Sequence, residues 1–480
     1  MKDDNGLMRV MYLLLLTLAV CIGLYFIPAK FLGIKLKRVD LISDLRNKVS
    51  ALDSINSNLI AGDTLKVDSV ALRDSLIRSQ GIDSASLALR DSLYKELMAN
   101  QSADSNFVRI EDFSAGHTGL RRFFEALKNR ETLNRPVYVA YLGDSFIEGD
   151  ILVSDFRHYM QDKFGGCGVG FVPITSISSQ FRPTVSQTGS GWKAWSMLRD
   201  RGHAYTLSGM LFDATSPVAT VTTRGGNRYP ELRRAPLMKF IYERNTATEL
   251  RMTLNGSKDT LTEVLPPTTE VTQIEKRGNY SSAFFKLINT TGFRALGVAM
   301  DADKGVVVDN YSLRGNSGII LQRLNTKDCQ ALNRIRPYDL IILQYGLNVT
   351  SDSLMHYGWY AEKMMKAINQ VRVCFPKADV LLLGVSDRSR MNEGTFETMP
   401  AVVALLRAQR NLAQTMGLPF WNVFGAMGGT NSMVRYVNLN WASKDYTHLG
   451  FRGGKEIATS LFRALMEEKN FYDEADKMGN

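Results

Sequence analysis

The chain has 480 residues, 45% of them hydrophobic and 22% charged, with a formal net charge of +10. That composition excludes a disordered or collagen-like chain, and the length makes two or more domains the expectation. The excess of Lys and Arg is spread along the chain rather than gathered into a basic tract, so it makes no case for nucleic acid as a partner.

The first predicted element is the run Val10–Ala29, "VMYLLLLTLAVCIGLYFIPA", which carries no charge. As a helix rising about 1.5 Å per residue it would span roughly 30 Å of hydrocarbon, enough for a single-pass anchor. The competing reading is a cleavable signal peptide, whose apolar region is shorter and ends in a small-x-small site. "LAVC" is close to a lipoprotein box, but bulky Val20 precedes Cys21 and the apolar run continues past it. Charge does not set the orientation: Lys2 and Arg9 precede the run, while Lys30, Lys35, Lys37 and Arg38 follow it. Residues 1–38 are thus read as a membrane anchor with its flanks. Residues 39–106 contain recurring Asp-Ser pairs among leucines, with "ALRDSL" at both Ala71 and Ala88. Such a segment forms a stalk of broken amphipathic helices, a weak coiled coil or a disordered linker.

Residues 107–177 open a different texture. "GLRRFFEALKN" has helical periodicity, "VYVAYLG" (137–143) is an apolar strand, and "DILVSDFRHYMQDKFG" is a second amphipathic helix. Residues 178–309 are rich in Thr, Gly and β-branched residues and are too long for a loop, so an inserted β-rich, sandwich-like domain is expected there. In residues 310–480, "YDLIILQYG", "ADVLLLGV" and "LPFWNVF" read as strands, with helices after each, the last being "GGKEIATSLFRALMEE". Uniformly apolar strands that alternate with amphipathic helices imply βαβ units and a parallel sheet covered on both faces.

Ligands bind at the carboxyl ends of the strands in such sheets, and Ser145 lies just past the end of "VYVAYLG". The following helix is expected to turn its unpaired N–H groups to the same place. Gly-Asp-Ser is also an ordinary turn tripeptide; a nucleophilic serine needs a base and an orienter for that base. Of the five histidines, His117, His158, His203 and His356 lie in helices, at their starts or in the insert, whereas His448 stands in "DYTHLGFRGG" with Asp445 three residues before it. One turn lets Asp445 accept from Nδ1 of His448 and leaves Nε2 facing the serine, although an Asp-x-x-His segment can equally cap the last helix. Oxyanion donors are available in "NYSLRGNSG" near Gly315 and in "YGLNVT", where Asn348 offers a side-chain amide; each is also a common turn residue. Cys21, Cys167, Cys329 and Cys374 form no CxxC pair or Cys/His cluster, so neither a disulfide framework nor a metal site is expected.

Gly143-Asp144-Ser145, Gly315, Gly346-x-Asn348 and Asp445-x-x-His448 stand in the order of the four sequence blocks of SGNH (GDSL-type) hydrolases, and the chain resembles that family over about 230 residues, 107–177 and 309–469. The resemblance implies a flavodoxin-like three-layer α/β/α fold, ester cleavage and no cofactor. It implies Ser145 as nucleophile, His448 as base and then acid, and Asp445 as its orienter. The oxyanion hole would be the Ser145 N–H, the Gly315 N–H and the Asn348 side chain. "LGDSFIEGDILVSDFRHYMQDKFGGCGVGFVPI" is similar to the start of bacterial peptidoglycan O-acetylesterases, which also carry a β-rich insert of carbohydrate-binding type. Phe146 stands where that subgroup often has His, and Val349 where Asp often follows the Asn.

The expected function is removal of O-acetyl groups from a cell-wall or surface polysaccharide, with peptidoglycan favoured, by an enzyme anchored in the inner membrane of a bacterial envelope with its catalytic part in the periplasm. A polysaccharide O-acetyltransferase would use the same residues, and a non-catalytic glycan-binding scaffold is the alternative outside enzymes. Trp192, Trp195 and Tyr205 are candidate stacking faces for the O-acetylated glycan, with core packing as their other reading. Nothing in the sequence identifies a protein partner.

Overall fold

Strands that are apolar throughout must be covered on both faces, and Val137–Gly143 and Tyr338–Gln344 are each buried along their whole length. The computed structural model describes residues 30–31, 34–35, 88, 90–95 and 107–479, and the chain divides into two compact units, residues 1–68 and 69–480. In the first, Lys30–Phe31 pairs antiparallel with Ile34–Lys35. The apolar run 10–29 and most of the segment 39–106 lie outside the described residues. Among the described residues no helix is long and apolar enough to cross a membrane.

The second unit is built on a mixed sheet. Its strands are β1 (Glu111–Asp112), β2 (Val137–Gly143), β3 (Val306–Ser312), β4 (Tyr338–Gln344), β5 (Asp379–Leu383) and, after a hairpin of β6 (Ser389–Asn392) and β7 (Thr395–Thr398), β8 (Pro419–Trp421). The order across the sheet is β3-β2-β4-β5-β8-β1, parallel except for the edge strand β1. By chain order the parallel strands therefore run 2-1-3-4-5, the order of flavodoxin-like sheets. The helices between strands are α1 (Arg121–Lys128), α2 (Val153–Phe164), α3 (Thr326–Ile335), α4 (Gly358–Cys374), α5 (Pro400–Met416), the short α6 (Val423–Ala426) and α7 (Ser432–Asn438), and the closing α8 (Phe451–Gly479). Right-handed crossovers place α2, which runs from β2 outward to β3, on the face opposite α4 and α5, which advance the other way. Accordingly α2 packs on α8, while α4 packs on α3 and α5.

Two elements differ from the sequence reading. β3 belongs to the central sheet although its composition resembles the insert, so there are five parallel strands rather than four. The strand expected over "LPFWNVF" stops at Trp421, because the Asn422 side chain accepts from the Gly425 N–H (2.9 Å) and starts a helical turn. Within the 39–106 segment, residues 88 and 90–95 include helix, in keeping with its reading as broken helices, and Tyr94 stacks on His117 at 3.5 Å while donating to the Ile110 carbonyl at 3.0 Å.

Between α2 and β3 the chain builds two antiparallel sheets. One has the order 272–280, 235–244, 294–301, 210–214, 192–196, with 170–173 also paired to 294–301; the other has the order 261–264, 249–254, 282–288, 218–225, 185–190. Val172, Phe240 and Tyr242 from the first meet Val221, Leu250 and Phe285 from the second in a core of their own. Alternation along 235–244 turns Ile241 the other way, into the core of the α/β part. Lys239 lies on that same side, and its ammonium is 3.1 Å from Asp301. Asp301 also takes a bidentate fork from Arg336 (2.6 and 2.9 Å), whose Nη2 reaches Asp309 Oδ1 at 2.6 Å. Burial opposes the charge of Asp301, but Arg336 and Lys239 outweigh it and hold the carboxyl well below the usual carboxylate range. Removing the guanidinium leaves buried Asp309 without its ion-pair partner and Asp301 with Lys239 alone. Arg336→Met is expected to lower stability by about 3–5 kcal/mol, read as a lower urea midpoint at neutral pH.

Candidate active site

The site forms at the carboxyl edge of the sheet, where the connections leaving the paired strands β2 and β4 pass to opposite sides and leave a crevice. β2 ends at Gly143, where a Cβ would meet Ile147 at 2.9 Å and the Gln344 carbonyl at 3.0 Å, so the turn closes only on glycine. Asp144 then folds the turn by accepting the Phe146 N–H on Oδ1 (2.9 Å), and half-buried Ser145 projects from it. A short 3-10 turn, Glu148–Asp150, follows, and α2 begins only at Val153. The expectation that the helix directly after Ser145 presents its N-terminus to the site is therefore corrected by these intervening residues.

His448 is brought to this turn from the other end of the chain. Its Nε2 is 3.0 Å from Ser145 Oγ and its Nδ1 is 2.7 Å from Asp445 Oδ2. The second oxygen of Asp445 accepts the backbone N–H of Thr447 and of His448, each at 3.0 Å, so one carboxylate fixes both the turn and the imidazole. Partial burial opposes the charge of Asp445, but these bonds from His448 and Thr447 outweigh it and hold its carboxyl below the usual range. The serine, histidine and aspartate form one continuous hydrogen-bonded relay, able to take a proton from Ser145 and return it to a leaving group.

Gly315 lies in the turn after β3, at φ +81, where added Cβ atoms would meet nothing; backbone conformation alone favours glycine there. That turn is tied to β2 by the Leu313 N–H on the Gly143 carbonyl (3.0 Å) and to the loop after Ser145 by an Arg314–Glu148 ion pair. Among the described residues the N–H groups of Ser145 and Gly315 donate to no protein acceptor. Asn348 differs from its sequence reading. It stands at the end of β4 beside Asp144, but its amide already donates to Asp144 Oδ2 (2.8 Å) and to the Asn316 carbonyl (3.0 Å). Both amide protons are committed, so service to an oxyanion requires one acceptor to be exchanged. Asp144 itself is 1% exposed; burial pushes its carboxyl up to about 6, against the N–H of Phe146, the nearby His448 and the Asn348 amide.

The three aromatic candidates are each engaged by neighbouring residues, and Trp192 and Trp195 are half-buried. Tyr205 is 2% exposed and bonds the Asp200 carbonyl (2.8 Å). Trp195 lies between the Lys193 ammonium, 3.8 Å from its ring centre, and the His203 ring at 4.3 Å, with its N–H on Asp213. Trp192 donates to the Thr220 carbonyl (2.9 Å) and packs near Phe293. Trp192 packs against the core of the insert, whereas Tyr205 lies in the core of the α/β part and Trp195 packs against it. Among the described residues no group of His, Cys, Asp and Glu side chains is arranged to hold a metal.

The β6–β7 hairpin is absent from the sequence reading, though "NEG" between Met391 and Thr395 is a turn signal, with Glu393 and Gly394 both at positive φ. Its Phe396 stacks on Tyr446 at 3.5 Å with a 12° interplanar angle, and the Ser389 N–H binds the Tyr446 carbonyl (3.1 Å). Tyr446 sits between Asp445 and His448 at φ +54, a conformation that costs a non-glycine residue about 1–3 kcal/mol. The hairpin thus braces the strained residue of the acid–base turn.

No family model matches the chain, and no curated protein sequence matches it. A solved structure of a peptidoglycan O-acetylesterase superposes with a TM-score of 0.61 at 19% identity, covering 75% of this chain and 99% of that one. The chain shares that esterase's fold. A family two carbohydrate esterase from Cellvibrio japonicus is far more distant, at 9% identity and a TM-score of 0.25, over 60% of this chain and 99% of that one. The resemblance read from the sequence is thus met at the level of the fold.

A stacked pair is worth about 0.5–1.5 kcal/mol. Phe396→Ala should therefore lower kcat on an acetyl ester by roughly 3- to 10-fold with KM unchanged, and Phe396→Tyr should restore it. A drop in melting temperature with kcat intact would reduce the stack to a purely structural contact.

Proposed function

We propose that the protein is a serine esterase that removes O-acetyl groups from a cell-wall or surface polysaccharide, with peptidoglycan the favoured substrate. The observation that carries this reading is the Ser145–His448–Asp445 relay, with spacings of 3.0 and 2.7 Å, at the crevice of the sheet. The fold shared with a peptidoglycan O-acetylesterase supports the choice of ester and glycan.

In this mechanism Ser145 Oγ attacks the acetyl carbonyl carbon as His448 Nε2 takes its proton. Asp445 stabilises the imidazolium and holds its tautomer. The carbonyl π pair moves onto oxygen, and the N–H groups of Ser145 and Gly315 receive that oxyanion; Asn348 joins them by giving up one of its two internal acceptors. Collapse breaks the bond to the sugar oxygen, which takes the proton from His448 and leaves as the free hydroxyl. Water then attacks the acetyl-Ser145 carbonyl, His448 takes and returns one proton, and acetate leaves with Ser145 regenerated. Incubation of the full chain with O-acetylated peptidoglycan and with other acetylated polysaccharides should release acetate. Ser145→Ala should lower that release by about 10³-fold or more. Wild-type rates in Ser145→Ala would defeat the mechanism.

We further propose that the run 10–29 anchors the enzyme to the inner membrane, with the catalytic part in the periplasm, where a cell-wall glycan is accessible. The full chain should fractionate with membranes and a chain lacking residues 1–38 should not; equal solubility of the two would remove the anchor.

A further inference from the structure

The segment Ser386-Asp387-Arg388-Ser389 leaves the carboxyl end of β5 at the same sheet edge as Ser145. Asp387 and Ser389 are buried, and Arg388 is half-buried between the two turns that carry the site. On one side its Nη1 donates to Thr350 Oγ1 (3.1 Å) and approaches the Leu347 carbonyl (3.5 Å), the residues that flank Asn348 and Val349. On the other side, its neighbour Ser389 binds the Tyr446 carbonyl, two residues before His448.

What distinguishes Arg388 is its charge balance. Arg314 is neutralised by Glu148, and Arg390 by Glu397 (3.1 Å) and Asp352 (3.6 Å). Arg388 has no carboxylate within 4 Å among the described residues. The adjacent Asp387 turns one oxygen elsewhere, its Oδ2 accepting the Met433 N–H (2.7 Å) and the Ser432 hydroxyl (3.1 Å), while its buried Oδ1 has no partner among the described residues and makes no ion pair with Arg388. Only Nη1 of the guanidinium is engaged, and by neutral oxygens. The Nε–Nη2 edge makes no protein hydrogen bond among the described residues, and neither nitrogen is a buried atom lacking a partner. A guanidinium anchored through one nitrogen, with its forked edge free, is the arrangement that takes a planar carboxylate in two parallel bonds. A merely structural bridge from Thr350 to Leu347 needs neither the fork nor a full charge.

We propose that Arg388 forms a subsite for a carboxylate carried by the glycan, placed beside the reacting ester, so that the enzyme selects acetylated sugars bearing or neighbouring an acid group. The proposal rests on the esterase reading for its substrate, but its geometry is independent of turnover. Two sources supply this chemistry: the lactyl ether of a muramic acid residue and the carboxylate of a uronic acid.

Binding and turnover test it in separate arms. In the first, full-length Ser145→Ala and Ser145→Ala/Arg388→Gln are titrated calorimetrically with a muramyl disaccharide, a uronic acid trisaccharide and the carboxyl-amidated form of each. Ser145→Ala should bind a carboxylated ligand at least tenfold tighter than its amide, and Arg388→Gln should abolish that difference. The source whose carboxylate is discriminated is the one the subsite takes. In the second arm, Arg388→Gln on the active enzyme should lower the ratio of kcat/KM for a carboxylated over an amidated acetyl ester at least tenfold, through KM. Equal binding of acid and amide by Ser145→Ala overturns the subsite. So does an Arg388→Gln variant whose losses are equal on both esters, which would leave Arg388 as a brace for the Asn348 turn. If the wild type releases no acetate while Ser145→Ala still discriminates acid from amide through Arg388, the esterase reading fails and the subsite stands.

Discussion

The turn that carries Ser145 depends on one buried carboxylate. Gly149 and Asp150, the fourth and fifth residues past Ser145, are consecutive in the left-handed region, φ +66 and +63. For Asp150 that conformation costs about 1–3 kcal/mol and persists only if its surroundings over-determine it. They do. Its fully buried carboxylate receives Arg157 from α2 (3.1 Å), Arg182 (2.9 Å) and Thr184 from the chain entering the insert, and Asn310 from β3 (2.7 Å). Burial works against the charge, but the two guanidinium groups outweigh it and keep the carboxyl well below its ordinary range. Asn310 also donates to the Ile147 carbonyl (2.9 Å), so the loop is held from both ends. The insert is therefore not an appendage to the α/β sheet: two of its approach residues help set the backbone from which Ser145 projects.

β3 is the seam along which this coupling runs. It is the outermost strand on its side, and its buried polar residues Asp309, Asn310 and Tyr311 each have a buried partner. Asp309 accepts from Arg336, from the Tyr338 hydroxyl (2.6 Å) and from the Phe171 N–H (2.7 Å), while Asn310 turns to Asp150. Gly170 lies so close that a Cβ would meet Asp309 Oδ1 at 2.2 Å. Charge pairs of this kind contribute little net stability once desolvation is counted, but they penalise any misregistered strand by leaving an ion unpaired. Their effect here is to fix the register of β3 against β2, and with it the height of the Gly315 turn relative to Ser145.

The same residues explain what could be read from the sequence and what could not. β2 is apolar throughout and β4 has an unbroken apolar centre, Leu340–Leu343, and the helices between strands have clear periodicity, so the parallel sheet and the position of Ser145 at its edge follow from pattern alone. Asp445 and His448 are close in sequence, which made their pairing legible. β3 was hidden because Asp309, Asn310, Tyr311 and Ser312 interrupt its apolar run; their burial becomes affordable only through Arg336, Asp150 and Tyr338, which are distant in sequence. Tyr205 and Trp195 were ambiguous for the matching reason: an aromatic residue shows its size in a sequence, but not which faces its neighbours cover. The commitment of the Asn348 amide was equally out of reach, since it depends on Asp144 and Asn316 arriving from two other strand ends.

The two halves of the site are supported very differently. The nucleophile half is buried and cross-linked through Asp144, Glu148 and Asp150, each with partners on other elements. The acid–base half is a surface turn in which the Asp445 side chain is 49% exposed and that of His448 36%. Its internal bonds come from Asp445 and Ser443, and its outward support is the Phe396 stack, the Ser389 N–H and the Ala442–Leu449 bridge. An exposed carboxylate is a weaker electrostatic partner for an imidazolium than a buried one, because water screens it. The turn therefore has to secure by geometry what it forgoes in field strength, and a strained Tyr446 clamped under Phe396 is how the fold supplies that geometry. That geometry is held at an exposed edge, with Asp445 and His448 open to solvent and Arg388 half-buried beside them.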